Sequence, residues 1–337
     1  MERLEGSSRR EFLHALTAGA FGLALSGQGI CANQKPAAKP LRGVFPIGQT
    51  PFTEADRLDL DCLAAEVRFC NRGRVHGFVW PQIASGWTTL TEKERLDGAE
   101  AILAAGKGGR TALVIGVQGP DMAAVTRYAQ HAAKLGADAI ISLPPPNGTD
   151  PKALLEYYQQ VGRLTELPLF VQSQGNMSVD LIVEMFHTIP TMRQVKDEAG
   201  DPRERITELR HRTSDQLKVF SGQGVRTMID EMRLGFSGHC PTTGLADVYA
   251  AAFDLWHRGQ RQEAFDMFGR ILAFASIAGP HSYVLVARGV FKETTRSRGG
   301  MAAGGGAGPR RAQPNDEEGK RLIREALNTY LKPYLRA

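Results

Sequence analysis

From Gly43 onward, eight short β-rich apolar runs alternate with stretches of helical length and amphipathic pattern. The runs are Val44–Ile47, Gly77–Trp80, Ala112–Val117, Ala139–Leu143, Leu167–Val171, Met192–Val195, Leu217–Phe220 and Gly238–Cys240. Their apolarity is continuous rather than alternating, which suits strands covered on both faces by helices. Helix starts are marked between them. Leu60, Leu63, Val67 and Cys70 recur at helical spacing, and Thr91-Glu92-Lys93-Glu94 reads as a capping box. Asp150-Pro151 and Asp201-Pro202 each place an N-cap residue before a proline suited to the first turn. Eight such units predict a (β/α)8 TIM barrel over 43–259 rather than a doubly wound sheet. Beyond it, Glu263–Ser276 and Asp316–Leu331 read as helices with no strand between them. Residues 260–337 are therefore expected to form a C-terminal helical appendage, with a glycine-rich loop at 299–308 that has almost nothing to bury.

The chain has 337 residues, 42% of them hydrophobic, enough for a large core, which excludes both the disordered and the small disulfide-stapled classes. Its formal charge of +5 invites a nucleic-acid reading. Most of that surplus, however, sits between Lys292 and Arg311, where Arg296, Arg298 and Arg310 also face Glu293 alone. The stretch carries no interleaved aromatics on which bases could stack, so no nucleic-acid partner is expected.

The first residues belong to a different argument. Ser8-Arg9-Arg10-Glu11-Phe12-Leu13 precedes an uncharged apolar run from Ala15 to Leu25, the pattern of a twin-arginine export signal. The run is shorter than the roughly 20 residues that span a bilayer, so no stable membrane span is expected after cleavage. Residues 1–32 are assigned to this signal and 33–42 to a linker, although Ile30 fits poorly the small residue expected before Cys31-Ala32. The expected destination is the periplasm or the cell exterior. Of the remaining cysteines, Cys62 and Cys70 lie eight apart on one helix, about 12 Å, too far to bridge. These two and Cys240 are read as buried thiols.

Catalytic groups of this fold stand at the C-terminal ends of strands. Lys196, in Val195-Lys196-Asp197-Glu198-Ala199-Gly200-Asp201, ends the sixth run. Burial there disfavours the ammonium form and leaves a free amine to attack a carbonyl, unless the side chain reaches solvent or pairs with Asp197 or Glu198. Gly116-Val117-Gln118-Gly119 lacks the further glycine and lysine of a phosphate loop and reads as a turn. Tyr157-Tyr158 reads as packing, and no cluster has metal-ligand spacing.

The sequence resembles the dihydrodipicolinate synthase / N-acetylneuraminate lyase family of Schiff-base pyruvate aldolases. The resemblance is carried by Thr50-Pro51-Phe52, by Thr89-Leu90-Thr91-Glu92-Lys93-Glu94-Arg95 and by Gly136-Ala137-Asp138-Ala139. It continues through Leu167-Pro168-Leu169, Val195-Lys196-Asp197 and Ser221-Gly222. It implies that Lys196 is the imine-forming lysine, that the substrate is a 2-keto acid or sugar acid, and that no metal or other cofactor takes part. It implies a homo-oligomer, a dimer or tetramer. It also places Gln172 at the catalytic position ending the fifth strand, with Ala84, Ser85, Ser173 and Cys240 against the substrate.

The departures matter equally. Gln82-Ile83-Ala84-Ser85-Gly86 replaces the family's Gly-Thr-Thr-Gly-Glu loop, so only the Ser85 hydroxyl survives. Pro144-Pro145-Pro146-Asn147 replaces a tyrosine-rich turn. Gln172-Ser173-Gln174-Gly175 replaces the Tyr-Asn-x-Pro motif, and the dicarboxylate-binding arginine falls on Met177. An amide cannot relay a proton as a phenol does. The sequence therefore predicts a lyase that is not a dihydrodipicolinate synthase, with water, Glu198 or His239 as the proton carrier. His239 and His76 also read as ordinary barrel-end histidines. The alternative is an exported, non-catalytic descendant that binds a keto acid, a sugar acid or a protein partner.

Overall fold

A computed structural model describes residues 38–146, 148–222, 225–278, 283–298 and 317–337. The expected export signal over 1–32, the first half of the linker and the glycine-rich loop at 299–308 lie outside these residues.

All eight expected strands are present and parallel: β1 (Gly43–Val44), β2 (Gly77–Trp80), β3 (Ala112–Gly116), β4 (Ala139–Ser142), β5 (Leu169–Gln172), β6 (Met192–Asp197), β7 (Lys218–Ser221) and β8 (Gly238–His239). They follow one another in a ring in which β8 returns to β1. The parallel bridge between Ile47 and Val79 closes the ring between β1 and β2. The molecule is a TIM barrel with C-terminal helices.

Helices α1 (Leu60–Arg72), α2 (Glu92–Ala105), α3 (Met122–Lys134), α4 (Pro151–Gly162), α5 (Val179–Thr188), α6 (Pro202–Arg212), α7 (Met228–Leu234) and α8 (Ala246–His257) cover the barrel. Their starts follow the local chemistry. Thr91 and Glu94 form the reciprocal capping box, and Asp150 and Asp201 cap helices whose first residue is proline.

Alternate residues on each strand divide two cores. Phe45, Ile47, Val79, Val114, Ile141, Phe170, Phe220 and Cys240 fill the barrel, whereas Val171, Val195 and Val219 face the helices. Phe45, Phe170 and Phe220 interlock with ring centroids 5.2–6.0 Å apart, two of the pairs edge to face, which closes the barrel as a packed plug. Between β5 and β6 the register shifts: Met192 pairs with Leu169, but Gln194 pairs with Phe170, leaving Arg193 as the extra residue of a bulge.

The appendage comprises α9 (Arg261–Ala278), α10 (Tyr283–Ala287) and α11 (Glu317–Tyr330). Phe268, Ile271 and Phe274 of α9 are buried, while Phe265 and Leu272 are exposed. Arg288, after α10, makes a fully buried two-pronged ion pair with Asp247 of α8, 2.6 and 2.8 Å. The described part of the basic stretch, 292–298, folds back over the loop after β1. Arg296 and Phe52 exchange backbone hydrogen bonds, and Lys292, Arg296 and Arg298 pair with Asp59, Glu54 and Asp56. These cations are matched by acidic neighbours and form no open basic face.

Candidate active site

The ends of β5 and β6 set the geometry. Gln172 stands opposite Lys196 in the β5–β6 register, and both side chains point into the barrel mouth, in phase with Phe170 and Gln194. The Lys196 side chain is only 6% exposed, so its amine lies inside the barrel and does not reach solvent. Its Nζ lies 2.9 Å from Oε1 of Glu198, and Gln172 Nε2 donates to the other oxygen of that carboxylate. Gln172 Oε1 is buried with no hydrogen-bond partner among the described residues. Gly222, just past β7, closes over this trio. A methyl group built on it would lie 2.7 Å from Lys196 Cε.

One residue along each strand, the side chains point the other way. Ser173, fully buried, donates from Oγ to Asp197 Oδ1 and accepts the backbone N–H groups of Glu198 (3.0 Å) and Ala199 (3.2 Å). Asp197 Oδ2 takes Arg205 Nε at 2.9 Å, and Arg205 Nη2 reaches the Met177 carbonyl at 2.8 Å. Ser173 thus shapes the turn after β6 from outside the barrel; its hydroxyl is not turned toward a ligand. The Met177 side chain is buried in the outer core.

Ala84 leans on the inner cluster over the barrel mouth. Ser85 Oγ donates to Gly48 O at 2.6 Å and accepts from Gln82 N at 3.0 Å, so its one proton is engaged in holding the loop. Thr50 Oγ1 donates to Ser85 O and accepts from Trp80 Nε1, tying the same loop to the turn after β1. Cys240 follows β8 and faces into the barrel, where burial pushes its thiol up to about 12 and keeps it protonated.

His239 points out of the barrel. It is fully buried between Phe236 and Phe253, with Nδ1 2.7 Å from Glu231 Oε2, and it does not share a cavity with Lys196. His76 accepts Val44 N–H at Nδ1 and pairs through Nε2 with Asp254, a structural role at the opposite end of its strand. Tyr158 does more than pack. Its hydroxyl bonds the carbonyls of Gln172 (3.0 Å) and Ser142 (3.2 Å), locking the ends of β4 and β5 together. Arg95, in the motif before the third strand, bonds the carbonyls of Gly116 and Gln118, each at 2.7 Å, and stacks on Tyr128. Burial lowers its pKa to about 10, still high enough to keep the charge at neutral pH. That turn is filled by a guanidinium from its own chain. Among the described residues, no group of three or more His, Cys, Asp or Glu is arranged to hold a metal ion.

Sequence reasoning placed Lys196 and Gln172 but left Glu198 as one of three carriers and missed Gly222 as a steric wall. A carboxylate two residues after the lysine was visible; that its turn folds back over the amine was not.

A barrel with a buried lysine ending its sixth strand and paired to a carboxylate defines a class of imine-forming sites. The chain belongs to the dihydrodipicolinate synthetase family, whose model matches residues 40–280. It is 28% identical over 204 residues to the 4-hydroxy-tetrahydrodipicolinate synthase of Rhizobium meliloti, covering 59% of this chain and 67% of that protein. It is 22% identical over 261 residues to the L-2-keto-3-deoxyarabonate dehydratase of Azospirillum brasilense, covering 75% and 84%. Two further curated relatives are matched over 54% and 64% of their length. Among solved structures, a prophage protein of the same family from E. coli, in complex with pyruvate, superposes with a TM-score of 0.73 at 19% identity, over 86% of this chain and 98% of that one.

Proposed function

We propose that this protein is a Schiff-base lyase that cleaves or dehydrates a 2-keto sugar acid through an imine at Lys196. The observation that carries the reading is the Lys196 amine, sealed in the barrel mouth beside a carboxylate and facing an amide with a free acceptor. In such a site the amine adds to the C2 carbonyl, water leaves, and the resulting iminium draws electrons from the neighbouring carbon–carbon or carbon–hydrogen bond. Gln172 suits a hydroxyl-bearing part of such a substrate, since an amide offers both a donor and an acceptor to a hydroxyl. Met177 offers no cation to a second carboxylate, which argues against dihydrodipicolinate synthesis. The dehydratase relative acts, by its name, on a substrate of the favoured kind.

Borohydride trapping with pyruvate and a panel of 2-keto-3-deoxy sugar acids, read by intact mass and peptide mapping, tests the proposal. An adduct at Lys196 is the expected result; absence of any adduct overturns it. In a thermal-shift screen, a keto acid that stabilises wild type and Lys196→Ala equally would favour the non-covalent binder instead.

The paired arginines and apolar run at the N-terminus support export by the twin-arginine route to the periplasm or cell exterior. Fractionation of cells carrying the Arg9→Lys, Arg10→Lys variant tests this, retention in the cytoplasm being expected. The exposed Phe265 and Leu272 on α9 are the apolar surface available for a homo-oligomer. Light scattering that shows a stable monomer at micromolar concentration would remove that part of the reading.

A further inference from the structure

We infer that Glu198 is the acid–base residue of this site, carrying protons between the Lys196 nitrogen, the departing oxygen and the carbon beside the iminium. The inference rests on the imine chemistry proposed above. Four features of the geometry point to Glu198. Its Oε1 is 2.9 Å from Lys196 Nζ, the atom that becomes the imine nitrogen. Its Oε2 is held by Gln172, so the carboxylate is fixed from both sides. Its backbone N–H is pinned by Ser173 Oγ, which is itself bound to the Asp197–Arg205 pair, so the turn that aims the carboxylate is tied to buried structure. Finally, a side chain at Gly222 would collide with it, so that face of the cavity leaves the carboxylate its room.

The other titratable groups of the region are otherwise engaged. Cys240 keeps its proton, His239 and Glu231 lie outside the barrel, and the Tyr157 and Tyr158 hydroxyls bond Ser142 and the strand-end carbonyls. Asp197 points away and is bound by Arg205 and Ser173. Among the described residues, Glu198 is the group left in contact with the reacting nitrogen.

The proton balance closes on this one residue. Glu198 takes a proton from the Lys196 ammonium, the freed amine bonds to C2, and the proton passes to the former carbonyl oxygen. A second proton moves from the carbinolamine nitrogen through Glu198 to the hydroxyl, the C–O bond breaks and water leaves. Of the three ammonium protons, two are in the water and one stays on the iminium nitrogen, and Glu198 is again a carboxylate. It then removes a proton from C3, whose C–H pair becomes the enamine double bond while the C=N π pair returns to nitrogen. In aldol cleavage the proton comes instead from the C4 hydroxyl, and the C3–C4 pair enters the enamine as the aldehyde departs. Glu198 then returns its proton to C3.

Pyruvate in D2O tests the step without knowledge of the natural substrate, because enamine formation exchanges its methyl protons for deuterium, read by proton NMR. Wild type should give both the borohydride adduct and exchange. Glu198→Gln should still reach the adduct at Lys196 on long incubation, though more slowly, while exchange falls by roughly 10²-fold or more, within the usual worth of general acid–base help. Exchange above about a hundredth of the wild-type rate, with the adduct intact, overturns the inference. A wild type that gives no adduct instead overturns the imine reading on which it stands. Melting curves check the fold. If Glu198→Gln is unstable, Glu198→Ala with added formate replaces it: restored exchange supports the assignment, and adduct formation without any formate rescue overturns it.

Discussion

Gly222 and Glu198 approach so closely that a methyl group on the glycine would lie 1.9 Å from the carboxylate Oε1. The obstructing atoms are the ends of two long side chains, not backbone, so the fold has a cheap way to yield. Gly222→Ala is expected to push Glu198 and Lys196 off their positions while lowering the melting temperature only slightly. Adduct formation and methyl exchange should both fall at least tenfold, since displaced groups forfeit part of an acid–base contribution of roughly 10²–10⁴. Unchanged exchange would mean that the two side chains reach a working arrangement by another path.

Gln172 supplies the donor that holds Glu198 Oε2. Gln172→Met keeps the volume and removes the hydrogen bond. The carboxylate then turns more freely about its pair with Lys196, and exchange should drop about tenfold, the worth of one charge-assisted hydrogen bond of roughly 1.5 kcal/mol. The yield of borohydride adduct should stay near wild type, since Lys196 is untouched. Gln172→Tyr asks a different question. A rise in retro-aldol rate would show a mouth able to use a phenol, and a collapse with imine formation intact would show that the amide positions something the ring displaces.

Asp197 is fully buried and Arg205 is its cationic partner, with Ser173 on the other oxygen. Removing one member of a buried pair strands the other charge. Arg205→Met is expected to destabilise the fold by about 2–4 kcal/mol, less than a wholly enclosed pair because Arg205 is itself partly exposed. Urea unfolding measures this. A change under about 0.5 kcal/mol would mean that water replaces the guanidinium at little cost.

Glu66, fully buried on α1, receives the Gln49 N–H on both carboxylate oxygens at 3.0 and 3.1 Å. Burial outweighs that hydrogen bond and pushes its pKa from 4.5 up to about 8. Between those values the folded chain keeps a proton that the unfolded chain releases, so stability falls as pH rises. The contribution is fully present below the unfolded pKa and lost as pH climbs through the folded one. Glu66→Gln, neutral throughout, removes this slope. The wild-type unfolding midpoint measured relative to the variant should decline between about pH 5 and pH 8. A constant difference would place the ionisation of Glu66 elsewhere.

Much of this was legible in the chain. Eight apolar runs separated by capped helices specify the barrel, because each local signal agrees with the same architecture. The apolar runs put Lys196 at the end of the sixth strand and the family resemblance put Gln172 at the end of the fifth; that the two stand opposite one another comes from the register of the closed barrel. The orientations were harder. Ser173 and Cys240 are both strand-end residues, yet one faces out and the other in, a difference of alternation that apolar runs on doubly covered strands do not display. The resemblance set Ser85 against the substrate, and no sequence pattern reveals that the Gly48 carbonyl would take its proton. The aim of Glu198 depends on the Ser173, Asp197 and Arg205 latch, a contact among residues up to 32 apart that only the closed barrel assembles.

The bulge at Arg193 gives the site a dependence on parity. Met192 faces the helices, and strict alternation from there would send Val195 into the barrel and Lys196 out toward α5 and α6. The extra residue resets the count, so that Gln194, Lys196 and the turn to Glu198 fall on the inner side. Straightening the bulge, so that Arg193 took a place in the ladder, would remove no chemical group from the chain, yet it would exchange an amine for an isopropyl group in the mouth of the barrel. Which atoms meet a substrate is thus decided three positions upstream, by a residue at the opposite end of the strand that touches none of them.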